Sequence, residues 1–294
     1  MPQLSLNQLN AADTAAFVAA LGDVFERSAW VAERAAGKRP FADVRALLAA
    51  MVAAVRAASV DERMALLRAH PDLAGKAARA GTLTRDSAEE QASAGLDQLS
   101  QREYESFQGF NANYHEKFDL PFIICVRRHT KDSILRQFER RLANAKPAET
   151  DTALEEVFRI AALRLDQRIR DAGLGLDGRL STHVLDTHSG RPAQGLWLAL
   201  RELSDRDDPR VIARVSTNAD GRTDAPLIHG RPVPIGRYEL LFAVGDYFAG
   251  LGTPLPDPPF LDVVPVRFAV AEPEGNYHVP LLVTPWSYAT YRGS

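Results

Sequence analysis

The chain has 294 residues, more than one hydrophobic core usually serves, so two domains of ordinary size are expected. Hydrophobic residues make up 46% and charged residues 25%, and the net charge of -3 gives no basic surface for nucleic acid or for an anionic membrane. The single cysteine excludes an internal disulfide and any multi-cysteine metal site. These values indicate a globular protein whose partners are small molecules.

The sequence carries no recognisable address for export. The start "MPQLSLNQLNAADTAAF" lacks a basic segment followed by an apolar one, and the apolar stretch "ALLAAMVAAV" is too short to span a bilayer. The final "RGS" is not an S-K-L type peroxisomal signal. The sequence therefore predicts a cytoplasmic protein.

Up to about residue 171 the apolar residues recur at helical spacing, and seven or so helices fit this half. In "PFADVRALLAAMVAAVRAA" a helix is predicted to begin at Pro40 and to place Val44, Leu47 and Met51 on one face. "SVDERMALLRA" and "DSILRQFERRLA" begin with residues that cap helices, and "DTALEEVFRIAALRLDQRIRDAG" closes a long helix with a glycine. An all-α helical bundle over residues 1–172 is the expected result.

Two features of this half allow either a structural or a functional interpretation. His70 precedes Pro71, which disfavours a helical conformation at the histidine, so His70 is predicted at a helix end, as an incidental surface residue or as part of a site. Ser87 and Glu90 have the Ser-x-x-Glu spacing of a capping box. By itself this spacing favours a cap over a catalytic role for Glu90.

Arg164 lies on the apolar face of the last long helix, three residues after Ala161 and seven after Val157. A guanidinium that faces the core needs an anionic partner or an anionic ligand, because an unpaired buried charge is costly. Cys125 lies between apolar neighbours in "PFIICVRR" and is predicted to be a buried, inert thiol rather than a nucleophile.

Five motifs of this half resemble, in order and spacing, the decarboxylases of 2-oxo-4-hydroxy-4-carboxy-5-ureidoimidazoline (OHCU) in urate breakdown. They are "HPDLAGK", "SAEEQASAGLD", "FNANYHEKFDLPFIICVR", "RLAN" and "ALEEVFRIAALRL", and the resemblance covers roughly residues 8–171. It implies a helical domain that uses no metal or cofactor, with His70 transferring a proton and Glu90 assisting it. It also implies substrate contacts from Pro71, Ser87, Gln91 and Arg164 and from main-chain groups near Ile123 and Ile124.

After "DAGLGLDGR", residues 171–179, the apolar pattern changes from helical to alternating. "GLWLALREL", "RVIARVS", "GRYELLFAV" and "NYHVPLLVT" repeat the strand pattern between turn signals. This spacing predicts a small antiparallel β-sandwich at residues 180–294, joined to the helical domain by a linker at residues 173–179.

The histidines of this half do not have the spacing of a metal site. His183 and His188 differ by five positions, so in a strand they point to opposite faces. No H-E-x-x-H or cysteine pattern supports zinc. Taken alone, His183 and His278 each fit a structural histidine in a strand, with its hydrogen bonds satisfied. This interpretation is weaker when the two histidines are considered together with Arg222. His188 is predicted to be a turn residue.

The motifs "LSTHVLDTHSGRPAQG", "TNADGR" and "YHVPLLVTPWSYATYRGS" closely resemble the 5-hydroxyisourate (HIU) hydrolases, the enzymatic relatives of transthyretin. The resemblance covers roughly residues 178–294 and implies an eight-stranded sandwich with one short helix at "DYFAGL", assembled as a tetramer. It implies a metal-free site in which one histidine acts as base toward water; which histidine does so stays open. The implied site residues are His183, Arg222, His278 and the C-terminal Ser294, with Tyr291 near them.

Together the two resemblances describe consecutive reactions in the domain order of the bifunctional allantoin synthases. The second domain would hydrolyse HIU to OHCU, and the first would decarboxylate OHCU to (S)-allantoin. A homo-oligomer is expected. The sandwich domain is expected to form a tetramer, and a dimer through the helical domain is a further option. The alternative is a transthyretin-like small-ligand binding protein with a helical oligomerisation domain, which would need no cluster of two histidines and an arginine.

Overall fold

A computed structural model of the protein describes residues 3–75, 80–170, 172–205 and 209–293. The chain forms two compact units, Met1–Arg127 with Ile134–Gly175 and Arg128–Ser133 with Leu176–Ser294. The chain passes from one unit to the other between Gly175 and Leu176, inside the stretch predicted as a linker.

The helical half contains nine α-helices within the described ranges, more than the seven or so predicted. They are α1 (Leu6–Ala11), α2 (Thr14–Leu21), α3 (Trp30–Ala36), α4 (Val44–Arg56), α5 (Val60–Arg68), α6 (Arg85–Ser93), α7 (Gln101–Phe118), α8 (Lys131–Arg141) and α9 (Lys146–Arg168). A 3₁₀ turn at Val126–Arg128 precedes α8. None of the helices in this part of the chain is long and apolar enough to cross a membrane.

Side-chain caps determine where the helices begin. Ser59 and Glu62 form a capping box at the start of α5, as the cap-type serine predicts. The prediction that a helix begins at Pro40 was wrong, because α4 starts at Val44 and the Asp43 carboxylate accepts from the Ala46 N–H at 2.7 Å. A carboxylate at this position satisfies a helix N–H that would otherwise have no partner.

The long helix α9 is the centre of the helical core. It contacts α4, α5 and α7, and its side chains from Ala153 to Leu165 are buried almost without interruption. Phe122 and Phe138 of the same unit stack with ring centroids 3.6 Å apart. Burial of this apolar surface is the main stabilising contribution to the unit.

The second unit contains nine strands and one short helix in its described residues. They are β1 (Gly178–Asp186), β2 (Arg191–Pro192), β3 (Trp197–Glu202), β4 (Arg210–Ser216), β5 (Ile228–Arg231), β6 (Gly236–Ala243), α10 (Val244–Gly250), β7 (Val263–Val270), β8 (Asn276–Val283) and β9 (Tyr288–Thr290). The short helix lies where "DYFAGL" predicts it. The nine described strands are one more than the implied eight, and two of them, β2 and β9, are only two and three residues long.

These strands form two sheets, one ordered β2-β1-β8-β9 with β5 also paired to β1, and one ordered β4-β3-β6-β7. The β-sandwich is confirmed, because buried residues of both sheets, among them Val184, Leu200, Phe242 and Leu281, form one apolar core. The prediction of a purely antiparallel sandwich was wrong at one pair, since β1 and β8 run parallel. Such a pair requires a long connection rather than a hairpin, and strand period alone does not reveal this.

The six residues Arg128–Ser133 belong to the sheet unit, although the sequence predicts them inside the helical domain. The Thr130 N–H donates to the Ile235 carbonyl at 3.0 Å, and the Ile235 N–H donates to the Arg128 carbonyl at 2.7 Å. Gly236 leaves room for this segment, since a Cβ there would lie 2.4 Å from Cγ2 of Thr130. These backbone hydrogen bonds to Ile235 therefore explain why the segment belongs to the sheet unit.

Candidate active sites

A pocket of about 30 Å³ in the helical unit brings together all eight residues that the sequence predicts for the decarboxylase site. The end of α5, the helices α6 and α9, and the chain before the 3₁₀ turn supply its walls. The eight are His70, Pro71, Ser87, Glu90, Gln91, Ile123, Ile124 and Arg164.

His70 lies two residues after the end of α5 and is only 9% exposed, so its interpretation as an incidental surface residue was wrong. Its Nδ1 lies 3.0 Å from the Leu66 carbonyl, which can only accept, so Nδ1 carries the proton and Nε2 the lone pair. Burial lowers the pKa of His70 to about 4, outweighing the nearby negative charge of Glu26. At neutral pH the ring is therefore an uncharged imidazole with Nε2 as proton acceptor.

Ser87 and Glu90 do not form the capping box that their spacing predicts. Thr84 caps α6 instead, because its Oγ1 accepts from the Ser87 N–H at 3.4 Å. The Ser87 hydroxyl is then available to donate to Glu26 at 3.0 Å. Burial raises the pKa of Glu90 against the opposing effect of the Arg164 charge.

Arg164 is 3% exposed, as its position on the apolar face of α9 predicts. Its Nε and Nη2 donate to the two carboxylate oxygens of Glu90 at 2.8 and 2.9 Å, and its Nη1 donates to Glu26 at 3.1 Å. This paired geometry is the strongest that a guanidinium forms with a carboxylate. Asp86 lies 3.8 Å from Nε, so the anionic partners that the sequence requires for Arg164 are three acidic side chains of the protein.

Glu26 is a residue of this site that sequence reasoning missed. It is 2% exposed, and its carboxylate accepts from Thr84 at 2.8 Å as well as from Ser87 and Arg164. The next residue, Arg27, has a φ of 48°, in the left-handed region that few non-glycine residues adopt. The available signal was a carboxylate after the apolar pair in "DVFE", together with the unmet need of Arg164 for an acid.

The amide of Gln91 holds the loop that follows His70. Its Oε1 accepts from the Ala74 N–H at 2.9 Å, and its Nε2 donates to the Asp72 carbonyl at 3.3 Å. Both polar atoms of Gln91 therefore contact main chain, and the residue lines the pocket at the same time.

Buried charged side chains also anchor the opposite wall. Arg141 donates to the Ile123 carbonyl at 2.7 Å, and the Cys125 N–H donates to Glu156 at 2.8 Å. Cys125 is buried, as predicted. These contacts fix the main chain around Ile123 and Ile124 from outside the pocket.

The second candidate site lies on one face of the parallel pair β1 and β8. A pocket of about 320 Å³ is present there. Arg222 and His278, which the sequence predicts, line it together with residues that the sequence does not single out, namely Arg179, Ser181, Asn276 and Tyr277. Side chains alternate along β1, so Arg179, Ser181 and His183 share this face.

A tight turn brings Arg222 to His183. The two residues form an antiparallel bridge, and the Val184 N–H donates to the Gly221 carbonyl at 2.8 Å. Gly221 has a φ of +70°, and a Cβ there would lie 2.3 Å from the Val184 carbonyl oxygen. Only glycine fits this turn.

His278 lies opposite Ser181 in the register of β1 and β8, and the Ser181 hydroxyl is 3.0 Å from Nδ1 of His278. Burial lowers the pKa of both His183 and His278, and the positive charge of Arg222 lowers each further. Each ring is thus uncharged at neutral pH, with one N–H and one lone pair. Together with Arg222 they provide proton acceptors and a fixed positive charge.

The chain near its last residues packs on His278. The Gly293 N–H donates to the His278 carbonyl at 2.9 Å, and a Cβ on Gly293 would lie 2.6 Å from Cδ2 of the ring. Tyr291 is 59% exposed and does not line the pocket. Ser294 lies outside the described residues.

His188 lies in an exposed turn, where its N–H donates to the Asp186 carboxylate at 2.9 Å. It does not join His183 in a site, as the odd spacing predicts. Among the residues that the structure describes, no group of three or more His, Cys, Asp or Glu side chains is arranged to hold a metal ion.

Comparison with known proteins separates the chain at the same place. Residues 10–166 match the OHCU decarboxylase family, and residues 180–293 match the HIUase/Transthyretin family. The helical pocket and the sheet pocket each lie within one of these matches.

Two relatives match one half of the chain each, and one solved structure matches almost the whole chain. A 5-hydroxyisourate hydrolase 2 of Rhizobium meliloti is 54% identical over 117 residues, which are 40% of this chain and 97% of that protein. A 2-oxo-4-hydroxy-4-carboxy-5-ureidoimidazoline decarboxylase of Haloferax volcanii is 45% identical over 168 residues, which are 57% of this chain and 98% of that protein. A crystal structure of (S)-allantoin synthase is 35% identical and covers 99% of this chain and 100% of its own, with a TM-score of 0.48.

Proposed function

Because this chain belongs to the OHCU decarboxylase family and to the HIUase/transthyretin family, we propose that it converts 5-hydroxyisourate to OHCU and OHCU to (S)-allantoin. The sheet unit performs the hydrolysis and the helical unit the decarboxylation. The observation that carries the proposal is the pair of separate pockets, one in each family match, each lined by residues with the required chemistry.

Hydrolysis in the sheet unit adds water to a lactam carbonyl. The oxygen of water bonds to the carbonyl carbon, the carbon–nitrogen bond breaks, the nitrogen takes a proton, and the new acid ionises to a carboxylate. An uncharged histidine, His183 or His278, accepts the proton from water, and Arg222 stabilises the negative charge that develops on the carbonyl oxygen. Ser294 remains a proposed site residue, and Tyr291 a proposed substrate contact.

Decarboxylation in the helical unit breaks the bond between the ring carbon and the carboxylate. Carbon dioxide leaves, the electron pair passes into the imidazoline ring system, and one proton is consumed. His70, with its lone pair on Nε2, relays this proton from water to one face of the substrate, and the hydroxide that remains combines with the released carbon dioxide as bicarbonate. Glu90 assists, and Pro71, Ser87, Gln91, Arg164 and the main chain at Ile123 and Ile124 hold the substrate.

The pairing of Arg164 suggests how the substrate carboxylate enters. The pocket is narrow and Glu90 occupies the edge of the guanidinium formed by Nε and Nη2, so the substrate replaces Glu90 there. A carboxyl group with a raised pKa is more easily released as a neutral acid than an ordinary one, and the pKa of Glu90 is raised. Release of Glu90 in this form leaves the Nε and Nη2 edge of Arg164 open to the substrate carboxylate.

Both reactions are tested in one cuvette. HIU is generated from urate by urate oxidase, the full-length protein is added, and ultraviolet absorbance and circular dichroism are followed together. We expect catalytic loss of HIU followed by rapid appearance of optically active (S)-allantoin. If the total amount of HIU removed does not exceed the amount of protein added, the ligand carrier is supported instead. Accumulation of OHCU with slow formation of racemic allantoin would confine the function to the sheet unit.

Assembly and location are further parts of the proposal. We expect a homo-oligomer, a tetramer through the sandwich with a dimer through the helical unit, and large exposed side chains on the sheets such as Trp197 and Tyr288 support a covered surface. Light scattering on the purified protein measures its mass. A cytoplasmic location is consistent with a single cysteine and is tested by fractionating cells that make the protein.

A further inference from the structure

Arg179 is a charged residue of the sheet pocket to which the proposed function gives no role. It lies on β1, on the same face as Ser181, and pairs in register with Asn276 of β8. It lines the pocket of about 320 Å³ with Arg222 and His278. Its charge reaches the site, because it contributes to lowering the pKa of His278.

Two guanidinium groups therefore face one open pocket. Within the described ranges, no acidic side chain pairs with Arg179 or with Arg222. The helical site is different, because there Arg164 is already paired with Glu90 and Glu26. Two positive charges that no protein carboxylate neutralises favour a negatively charged ligand.

The separation of the two cations suits one small ring compound. Arg222 bridges to His183, and Arg179 is four residues from His183 along β1, about 13 Å in an extended strand. Arginine side chains that reach inward from both ends of this span can bracket a heterocycle lying over His278.

The chemistry of the proposed reaction supplies such an anion. A lactam carbonyl is uncharged, whereas the carboxylate that hydrolysis creates carries a full negative charge. We propose that Arg179 is a second anion-binding residue of the sheet site and, with Arg222, binds ring compounds that carry a carboxylate, including the product of hydrolysis. This inference rests on the proposed function for the identity of the ligand, but not for its charge.

The test uses two ligands that differ by one carboxylate. Orotate and uracil share a pyrimidine ring, and each is titrated as an inhibitor of HIU loss by the full-length protein. We expect orotate to inhibit at about tenfold lower concentration than uracil. The variant Arg179→Gln should lose most of this preference, and Arg179→Lys, which keeps the charge, should retain most of it.

Arg214→Gln serves as the matched control, because Arg214 is an exposed arginine on β4, in the other sheet. It should leave both HIU loss and the preference for orotate unchanged. An unchanged preference in Arg179→Gln, or an equal loss in Arg214→Gln, would overturn the inference.

Failure of the proposed function is recognised separately. If the unmodified protein does not accelerate HIU loss, binding of orotate and of uracil is measured directly by calorimetry. Tighter binding of orotate that depends on Arg179 would still support the anion site, and equal binding of the two ligands would overturn it.

Discussion

The two candidate sites place their charged groups in opposite ways. In the helical site Arg164 is paired with Glu26 and Glu90 beside a pocket of about 30 Å³, whereas in the sheet site Arg179 and Arg222 face an open pocket of about 320 Å³ without an acidic partner among the described residues. In the first arrangement the catalytic groups are buried ion partners, so substituting one of them also lowers the stability of the fold. The second holds Arg179 and His278 on a strand pair and Arg222 on an adjoining turn, so that substitutions there should change chemistry with little effect on stability.

The largest expected effect separates the two activities. His70→Asn removes the proton acceptor of the helical site, so formation of (S)-allantoin should fall roughly 10²- to 10⁴-fold while HIU loss stays unchanged. Circular dichroism and ultraviolet absorbance report the two steps. The control His188→Asn, in the exposed turn, should change neither step. A parallel fall of both activities in His70→Asn would contradict the assignment of His70 to one site.

The buried ion pairs of the helical site predict a large effect on stability. Arg164 keeps its pair with Glu90, but Glu26→Gln removes the buried carboxylate that accepts from Thr84, Ser87 and Arg164, so the free energy of unfolding of the helical unit should fall by about 3 kcal/mol. Chemical denaturation, monitored by the circular dichroism signal of the helices, measures this free energy. The control is Glu155→Gln, which breaks the exposed pair with Arg56 and should cost at most about 0.5 kcal/mol. Equal costs would show that Glu26 contributes no more than a surface pair.

The pKa of His70 predicts how stability depends on pH. As the pH falls below 6.5 the unfolded chain protonates His70, whereas the folded chain does so only near pH 4. Stability should therefore decrease as the pH falls between these values, by roughly 3 kcal/mol for this group. The difference between the unmodified protein and His70→Asn, measured by urea unfolding at pH 7 and pH 5, isolates the contribution. A constant difference across this range would contradict the buried, uncharged histidine.

In the sheet site a single methyl group should disturb the chemistry. Gly293→Ala places a Cβ within 2.6 Å of the His278 ring, which must then move, so HIU loss should fall about tenfold with decarboxylation unaffected. The control Gly250→Ala adds the same methyl group at the end of α10, where the structure has open space. Unchanged hydrolysis in Gly293→Ala would show that the ring has freedom to shift without loss.

The smallest expected effect concerns the orientation of His278. Ser181→Ala removes the hydrogen bond to Nδ1, worth about 1 kcal/mol, so HIU loss should fall roughly fivefold. Ser181→Thr keeps the hydroxyl and should retain most of the activity. The pH profile of hydrolysis is the second readout, because loss of the hydrogen bond changes the basicity of the ring. Full activity in Ser181→Ala with an unchanged profile would contradict the positioning role.

The amino-acid sequence alone was sufficient to predict the fold class of each half and to predict that the Arg164 side chain points into the core. Helical and alternating periods are local properties, so the change near residues 171–179 predicts a helical half and a sheet half, and a charge on an apolar stripe predicts a buried partner. The motifs also named the eight residues that line the helical pocket.

Tertiary structure decided what each of these side chains contacts. The spacing of Ser87 and Glu90 fits a capping box as well as a pocket, and only the packing of α6 against Arg164 shows which is formed. Glu26 is far from Arg164 in the chain, and only the parallel register of β1 and β8 brings Arg179 and Ser181 beside Asn276 and His278. Such contacts depend on how distant segments pack, which no local spacing records.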